Sequence, residues 1–321
     1  MIDRSMARTR QIRAARMRSA QVLLVAPWLL TVAACGGGDD TLVLGARAPR
    51  PYRFGAPSVV RELSIEGKAD NPSLTADLLE IYFTAAASAT SQSADIWSAA
   101  RSDARDAFGE PQRVDAVNSS GVETSPVVSA DGLTLWFASD RPGGHGDLDI
   151  WVCSRSARGD AWSEPANVGP LNSAGKEIPR PPGQRQRVMP LASDRDDPGY
   201  YRIYFSARAA IDAAFERPED VAELVFADQS TVDGFLTDDG LSLFYVTGPE
   251  FGPADLYVAS RRSVGDPFEH AVALDALNTA RDERDPWLSA DGSLFFFSSD
   301  RSGRYEIYVA RARREAVAVD P

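Results

Sequence analysis

The sequence predicts an all-β chain: a five-bladed β-propeller of four-stranded blades, with the ring closed by the amino-terminal strand. Two observations predict it. A repeat returns five times along the 321 residues, and the apolar runs have the spacing of strands and never that of helices. One marker of the repeat is an aromatic residue three positions before a proline: Phe54 with Pro57, Phe108 with Pro111, Trp162 with Pro165 and Phe215 with Pro218. In the fifth copy Phe268 is followed by Ala271. These aromatics lie 54, 54, 53 and 53 residues apart. A second marker opens the next strand, at Pro72, Pro126, Pro179, Gly234 and Pro286, with intervals of 54, 53, 55 and 52. Two independent markers keeping one period define five units.

Each unit reads as four short strands. The second runs SPVVS, the turn Ala130-Asp131-Gly132, LTLWFAS, a Gly-rich loop, DIWVCSR and WSEPANVG. β-Branched and aromatic runs punctuated by Asp-Gly and Pro-Gly are hairpin-linked strands. The fifth repeats the pattern with DPWLS, Ala290-Asp291-Gly292, SLFFFSSDR and EIYVARA, but lacks a fourth strand. That strand is expected from the other end, as Phe54 to Leu63, which removes the edge an open array would expose.

The elements outside the ring follow in order. Residues 1–34 carry six Arg and one acid ahead of an apolar run from Val22 to Ala34, too short for a membrane span of about 20 residues. They are expected to be a lipoprotein signal peptide, with Met1, Met6 or Met17 as its start. Val32-Ala33-Ala34-Cys35 resembles a bacterial lipobox, in which Cys35 becomes the lipidated first residue, and Gly36 after it favours the outer membrane. Residues 35–52 are then lipidated Cys and tether, 53–313 the propeller and 314–321 a tail. The expected location is lipid-anchored and periplasm-facing, as a monomer.

Blades two and five, SPVVSADGLTLWFASDRPGGHGDLDIWV and DPWLSADGSLFFFSSDRSGRYEIYV, resemble the WD40-like (PD40, TolB-type) propeller repeat of bacterial envelope lipoproteins. The segment WSEPANVGPLNSAGKE is similar to the variant found beside OmpA-like domains. The resemblance spans roughly Phe54 to Ala312 and implies a binding propeller of the envelope without catalytic activity. Its partner would be an envelope protein or glycan, and no cofactor is implied.

Charge supports the exclusions. The formal net charge is −12, and removing residues 1–34 leaves 28 basic and 45 acidic residues, a body at −17. Such a body is the opposite of a nucleic-acid binder. Two His leave little for a His-rich metal site, and no GxSxG elbow is present. His145 and His270 are expected at the surface, and Cys153, in the run DIWVCSR, is expected to be buried and inert.

Comparison of the blades isolates a set of residues kept or lost together. Blade two has Asn118, Glu123, Asp140 and Arg141; blade three has Asn172, Glu177, Asp194 and Arg195; blade five has Asn278, Glu283, Asp300 and Arg301. Blades one and four lack it. Because the second strand returns to the face where the first begins, each Glu is expected to pair with the Arg of such a set. The pairs either brace loops or frame the channel mouth and touch a ligand. A ring of acids at the openings of the first strands (Asp70, Glu123, Glu177, Asp233, Glu283, Asp285) offers oxygen ligands for a cation, though no calcium-loop motif accompanies it and no metal is expected. The same acids give an alternative reading, a propeller glycoside hydrolase or carbohydrate-binding protein. Finally, Arg180, Arg185 and Arg187 around Pro181-Pro182 suggest a basic recognition loop on an acidic body.

Overall fold

A computed structural model describes residues 52–86, 93–226, 229–248 and 253–315. The expected signal peptide, Cys35, most of the tether, residues 316–321 and the side chain of His270 lie outside the described residues.

The described chain forms five antiparallel sheets, one per repeat. From the axis outward, blade one is Lys68–Leu74, Glu80–Ala86, Asp95–Ala100 and Gln112–Arg113. Blade two is Glu123–Val128, Thr134–Ser139, Asp149–Ser154 and Ala166–Asn167. Blade three is Glu177–Pro179, Val188–Ser193, Arg202–Ala207 and Glu219–Asp220. Blade four is Thr231–Leu236, Ser242–Thr247, Asp255–Ser260 and Glu269–Ala273. Blade five takes Glu283–Leu288, Leu294–Ser299 and Glu306–Arg314 from the end of the chain and its outer edge from the beginning. Ser58 and Val59 pair with Val309 and Tyr308, and Tyr52–Phe54 pairs with Ala312–Arg314. The ring is therefore closed by the amino-terminal strand, one residue wider at each end than the sequence boundaries.

Two repeated devices hold the ring. The amide at the start of each innermost strand donates to a carbonyl of the preceding blade: Ala69 to Tyr305, Glu123 to Ala94, Glu177 to Leu148, Thr231 to Tyr201 and Glu283 to Ala254, at 2.7–3.0 Å. The second device explains the aromatic marker. Arg101, Arg155, Arg208 and Arg261 lie over Phe108, Trp162, Phe215 and Phe268, 4.1–4.5 Å from the ring centres. Each donates its Nε to a carbonyl of the turn between the first two strands: Leu78, Gly132, Gln186 and Gly240. The marker is thus the outer half of an arginine latch seven residues long, whose Arg sequence inspection alone did not single out.

The core lies between neighbouring sheets. Phe83, Phe137, Phe244 and Phe295, from second strands, are fully buried, each contributing roughly 1.5–3 kcal/mol of burial. The innermost strands of blades one, two, four and five each shift register once, and the residue at the bulge has positive φ: Asn71 (55°), Ser125 (51°), Asp233 (58°) and Asp285 (57°). Blade three has no bulge. Pro179, whose φ is fixed negative, stands there in register with Leu191.

Candidate functional site

The three Glu sets fold identically. Glu123 is fully buried. Its Oε1 accepts from Ser119 Oγ (2.6 Å), Ser139 Oγ (2.7 Å) and Arg141 Nη2 (3.1 Å), and its Oε2 from the Ser119 amide (2.7 Å). Glu177 repeats this with Ser173, Ser193 and Arg195, and Glu283 with Thr279, Ser299 and Arg301. Each Arg also donates to a carbonyl of the entering loop, Val117, Leu171 or Leu277. Asp140, Asp194 and Asp300 accept from the amides of Val122, Lys176 and Asp282. Asn118, Asn172 and Asn278 bind both backbone groups of Ile96, Ile150 and Leu256 in the blade before. The pairs lie within one blade. In blades one and four the positions of the Glu and of the Ser facing it hold Ala69 with Ala85 and Thr231 with Thr247.

The Glu of each set stands at the start of its innermost strand and is buried, its oxygens taken by donors of its own blade and entering loop. The expected ring of acids also separates. The three Glu brace loops; Asp233 and Asp285 bind Arg180 at the axis; Asp70, buried beside the clasp, pairs with Lys68 (2.9 Å) and accepts from Asn71 Nδ2 (3.0 Å). Among the described residues no cluster of His, Cys, Asp and Glu suits a metal ion.

The axis is closed by Arg180, which is 7% exposed. The expected basic loop is therefore corrected: Arg180 is not a surface residue. Because blade three lacks the bulge, its strand has one residue fewer there, and the Arg180 guanidinium reaches the bulge residues of blades one, four and five. Its Nη1 donates to Asn71 Oδ1 (3.1 Å) and its Nη2 to Asp285 Oδ1 (3.0 Å) and to Asp233. The bulges join each other through Ser125 Oγ to Asn71 Oδ1 (2.9 Å), the Asn71 amide to Asp285 Oδ2 (3.1 Å) and the Asp285 amide to Asp233 Oδ2 (3.4 Å). All five blades thus meet in one clasp. Burial pulls the guanidinium below its ordinary value against the upward pull of Asp285. Burial likewise raises Asp70, against the downward pull of Lys68.

Beyond the clasp, where the innermost strands end in their turns, a cavity of about 580 Å³ opens, lined by all five blades. Leu74, Val128, Phe235, Trp287 and Leu288 form its apolar wall, with Pro181 and Pro182 on blade three. Around its mouth blades one, two, four and five carry one turn design. A hydroxyl of Thr75, Ser129, Thr237 or Ser289 donates to Asp77, Asp131, Asp239 or Asp291 at 2.5–2.7 Å. Blade three replaces that turn by Gly183–Gln186, with Gln184, Arg185 and Gln186 all left-handed (φ 50°, 56° and 63°), at a cost of roughly 1–2 kcal/mol per residue. Close packing against blade four holds it: a Cβ on Gly183 would strike the Leu236 carbonyl, and one on Gly240 would meet Gln184 at 2.7 Å. Arg185 and Arg187 are exposed, and only Arg185 lines the cavity. No ion pair engages it among the described residues, whereas the other rim cation, Arg314, binds Asp239 at 2.6 Å.

The sequence reading missed both the clasp and the cavity. A signal was available: aligning Arg180, instead of Pro179, with Pro126 gives intervals of 54, 54, 54 and 52, and puts Arg180 three residues after Glu177, as Pro126 follows Glu123. Cys153 is buried, its thiol pushed up to about 12 by desolvation, and His145 is exposed.

No family model matches the chain, and neither does any curated protein. Solved structures do. The chain is similar to an endo-arabinase from Bacteroides thetaiotaomicron, at 12% identity and a TM-score of 0.55, over 82% of this chain and 98% of that one. It is similar to a family 117 glycoside hydrolase from Zobellia galactanivorans, at 13% and 0.51, over 85% and 92%. TolB from Acinetobacter baumannii matches at 16% and 0.47; the match covers 78% of this chain and 56% of TolB. At these identities the likeness is one of fold.

Proposed function

We propose that the chain is a non-enzymatic, lipid-anchored propeller of the cell envelope that binds its ligand or protein partner in the turn-face cavity. The observation that carries this reading is the pairing of an apolar cavity built by every blade with an axis whose carboxylates are already engaged, Asp233 and Asp285 by Arg180 and Asp70 by Lys68. Glycoside hydrolysis needs two carboxyl groups about 5–9.5 Å apart flanking the scissile bond, one free to give a proton and one to attack or to activate water. Asp233 and Asp285 instead grip a single guanidinium nitrogen, and Glu123, Glu177 and Glu283 are sealed inside blades. The lipobox-like Val32-Ala33-Ala34-Cys35 supports the anchor, and Gly36 the outer membrane.

Two experiments test the reading. Aryl glycosides and polysaccharides are expected to give no turnover; turnover abolished by Asp285→Asn or Glu123→Gln overturns the proposal in favour of a hydrolase. Metabolic fatty-acid labelling is expected in the wild type and not in Cys35→Ser. An unlabelled wild type removes the anchor.

A further inference from the structure

The cavity of the proposed function has an apolar wall and one unanswered charge. Leu74, Val128 and Trp287 stand in that wall, on the turn side of the clasp. Its volume of about 580 Å³ takes one or two apolar side chains. At its rim Arg185 is exposed, held in place by the left-handed turn, and engaged by no carboxylate among the described residues. On blades four and five Asp238 and Asp291 are exposed and have no cationic partner among the described residues.

Resting on the reading of the cavity as the binding site, we infer that it captures the free carboxy-terminal end of a partner polypeptide. The last side chain is apolar and fills the bowl, the terminal carboxylate meets Arg185, and a basic residue just upstream faces Asp238 and Asp291. Terminal carboxylate and apolar side chain are read together, as in other modes of chain-end recognition.

The test uses the full chain and peptides Gly-Lys-Gly-Gly-Xaa, with Xaa Leu, Ile, Val or Phe, each made as the free acid and as the carboxamide. Binding is followed by tryptophan emission, with Trp287→Phe identifying the responding residue. At least one free acid is expected to bind tenfold or more tightly than its amide. Arg185→Gln is expected to erase that difference, and Arg187→Gln, off the cavity, to preserve it. Equal affinity of acid and amide, no binding by any acid, or an unchanged preference in Arg185→Gln overturns the inference. Decanoate binding more tightly than every peptide also overturns it, in favour of a lipid acid. Ala130→Trp, which fills the cavity, separates this from the underlying reading. If envelope proteins crosslink to that variant as they do to wild type, the cavity is not the binding site. If crosslinking is lost while acids and amides bind alike, only the chain-end inference fails.

Discussion

The two ends of the innermost strands follow opposite plans. At their start, blades two, three and five repeat one arrangement in which a sealed glutamate receives four donors and its arginine also binds a serine hydroxyl and a loop carbonyl. At their end, four blades repeat one turn and blade three departs from it, leaving a strained Arg185, without an ion pair among the described residues, beside an apolar bowl. Residues that recur from blade to blade satisfy one another, because each blade must solve the same packing problem. The residues free to meet a ligand are those where the repeat is broken. Blade three breaks it twice, at Arg180 and at Gly183–Gln186, and both departures face the axis.

The largest expected effect tests the inner departure. Arg180→Met leaves Asp233 and Asp285 buried and facing each other, and removing one partner of a buried pair costs about 3–5 kcal/mol. Urea unfolding is expected to show that loss, and Arg180→Met with Asp233→Asn and Asp285→Asn to regain much of it. A loss below about 1 kcal/mol, within the range of an ordinary exposed ion pair, would mean that the clasp is not what joins the blades at the axis.

The next effect concerns the repeated braces. Glu123→Gln and Arg141→Met are each expected to destabilise, and together by less than their sum, with a coupling of about 1–3 kcal/mol. Peptide binding at the cavity is expected to stay as in wild type. Additive losses would deny the pairing. Weakened binding would return the Glu sets to the site, against their position at the far end of the strands.

How far the sequence reached follows the same division. The blade count, the closing strand and the Glu–Arg pairing were legible because each is written several times, so any one copy explains the others. Arg180 was not legible as a clasp residue, because it occurs once and its meaning depends on a bulge missing from its own strand. Pro179 hid that omission by imitating the marker proline one residue early. The cavity was legible only as turns and an arginine-rich segment. Its walls come from five units, and their meeting is a property of the closed ring rather than of any repeat.

The turn acids give a smaller effect, visible in pH. Hydrogen bonds from the Ser289 hydroxyl and the Ser293 amide hold Asp291 below its ordinary value of 3.8. Partial burial pushes Asp131 and Asp239 up, but the Ser129 hydroxyl and Leu133 amide lower Asp131, and Arg314 with the Thr237 hydroxyl lowers Asp239. A carboxyl lowered on folding contributes stability above its unfolded value, and that contribution fades as pH falls through the folded one. Asp291→Asn is therefore expected to lower stability modestly at neutral pH and to flatten its further loss below about pH 4. Asp70 acts in the opposite sense. Raised by burial, it contributes at low pH and fades as pH rises through its folded value, so Asp70→Asn is expected to steepen the acid limb. Parallel curves for both variants would contradict these assignments.

The smallest expected effect on stability isolates function. Ile211 is 60% exposed on the cavity rim, and Val272 is 58% exposed on the outer strand of blade four, away from the cavity. A single exposed aliphatic residue is ordinary on a protein surface, so exposure does not distinguish the two. Position does: Ile211 extends the apolar wall past the mouth, where a partner chain would cover it, and Val272 faces outward from the ring. Each residue replaced by Ser is expected to change unfolding by less than about 0.5 kcal/mol. Affinity for the best carboxy-terminal peptide is expected to fall for Ile211→Ser and to hold for Val272→Ser. Equal effects on binding would mean that the partner spreads over the outer surface, and that the broken repeat in blade three does not mark the site.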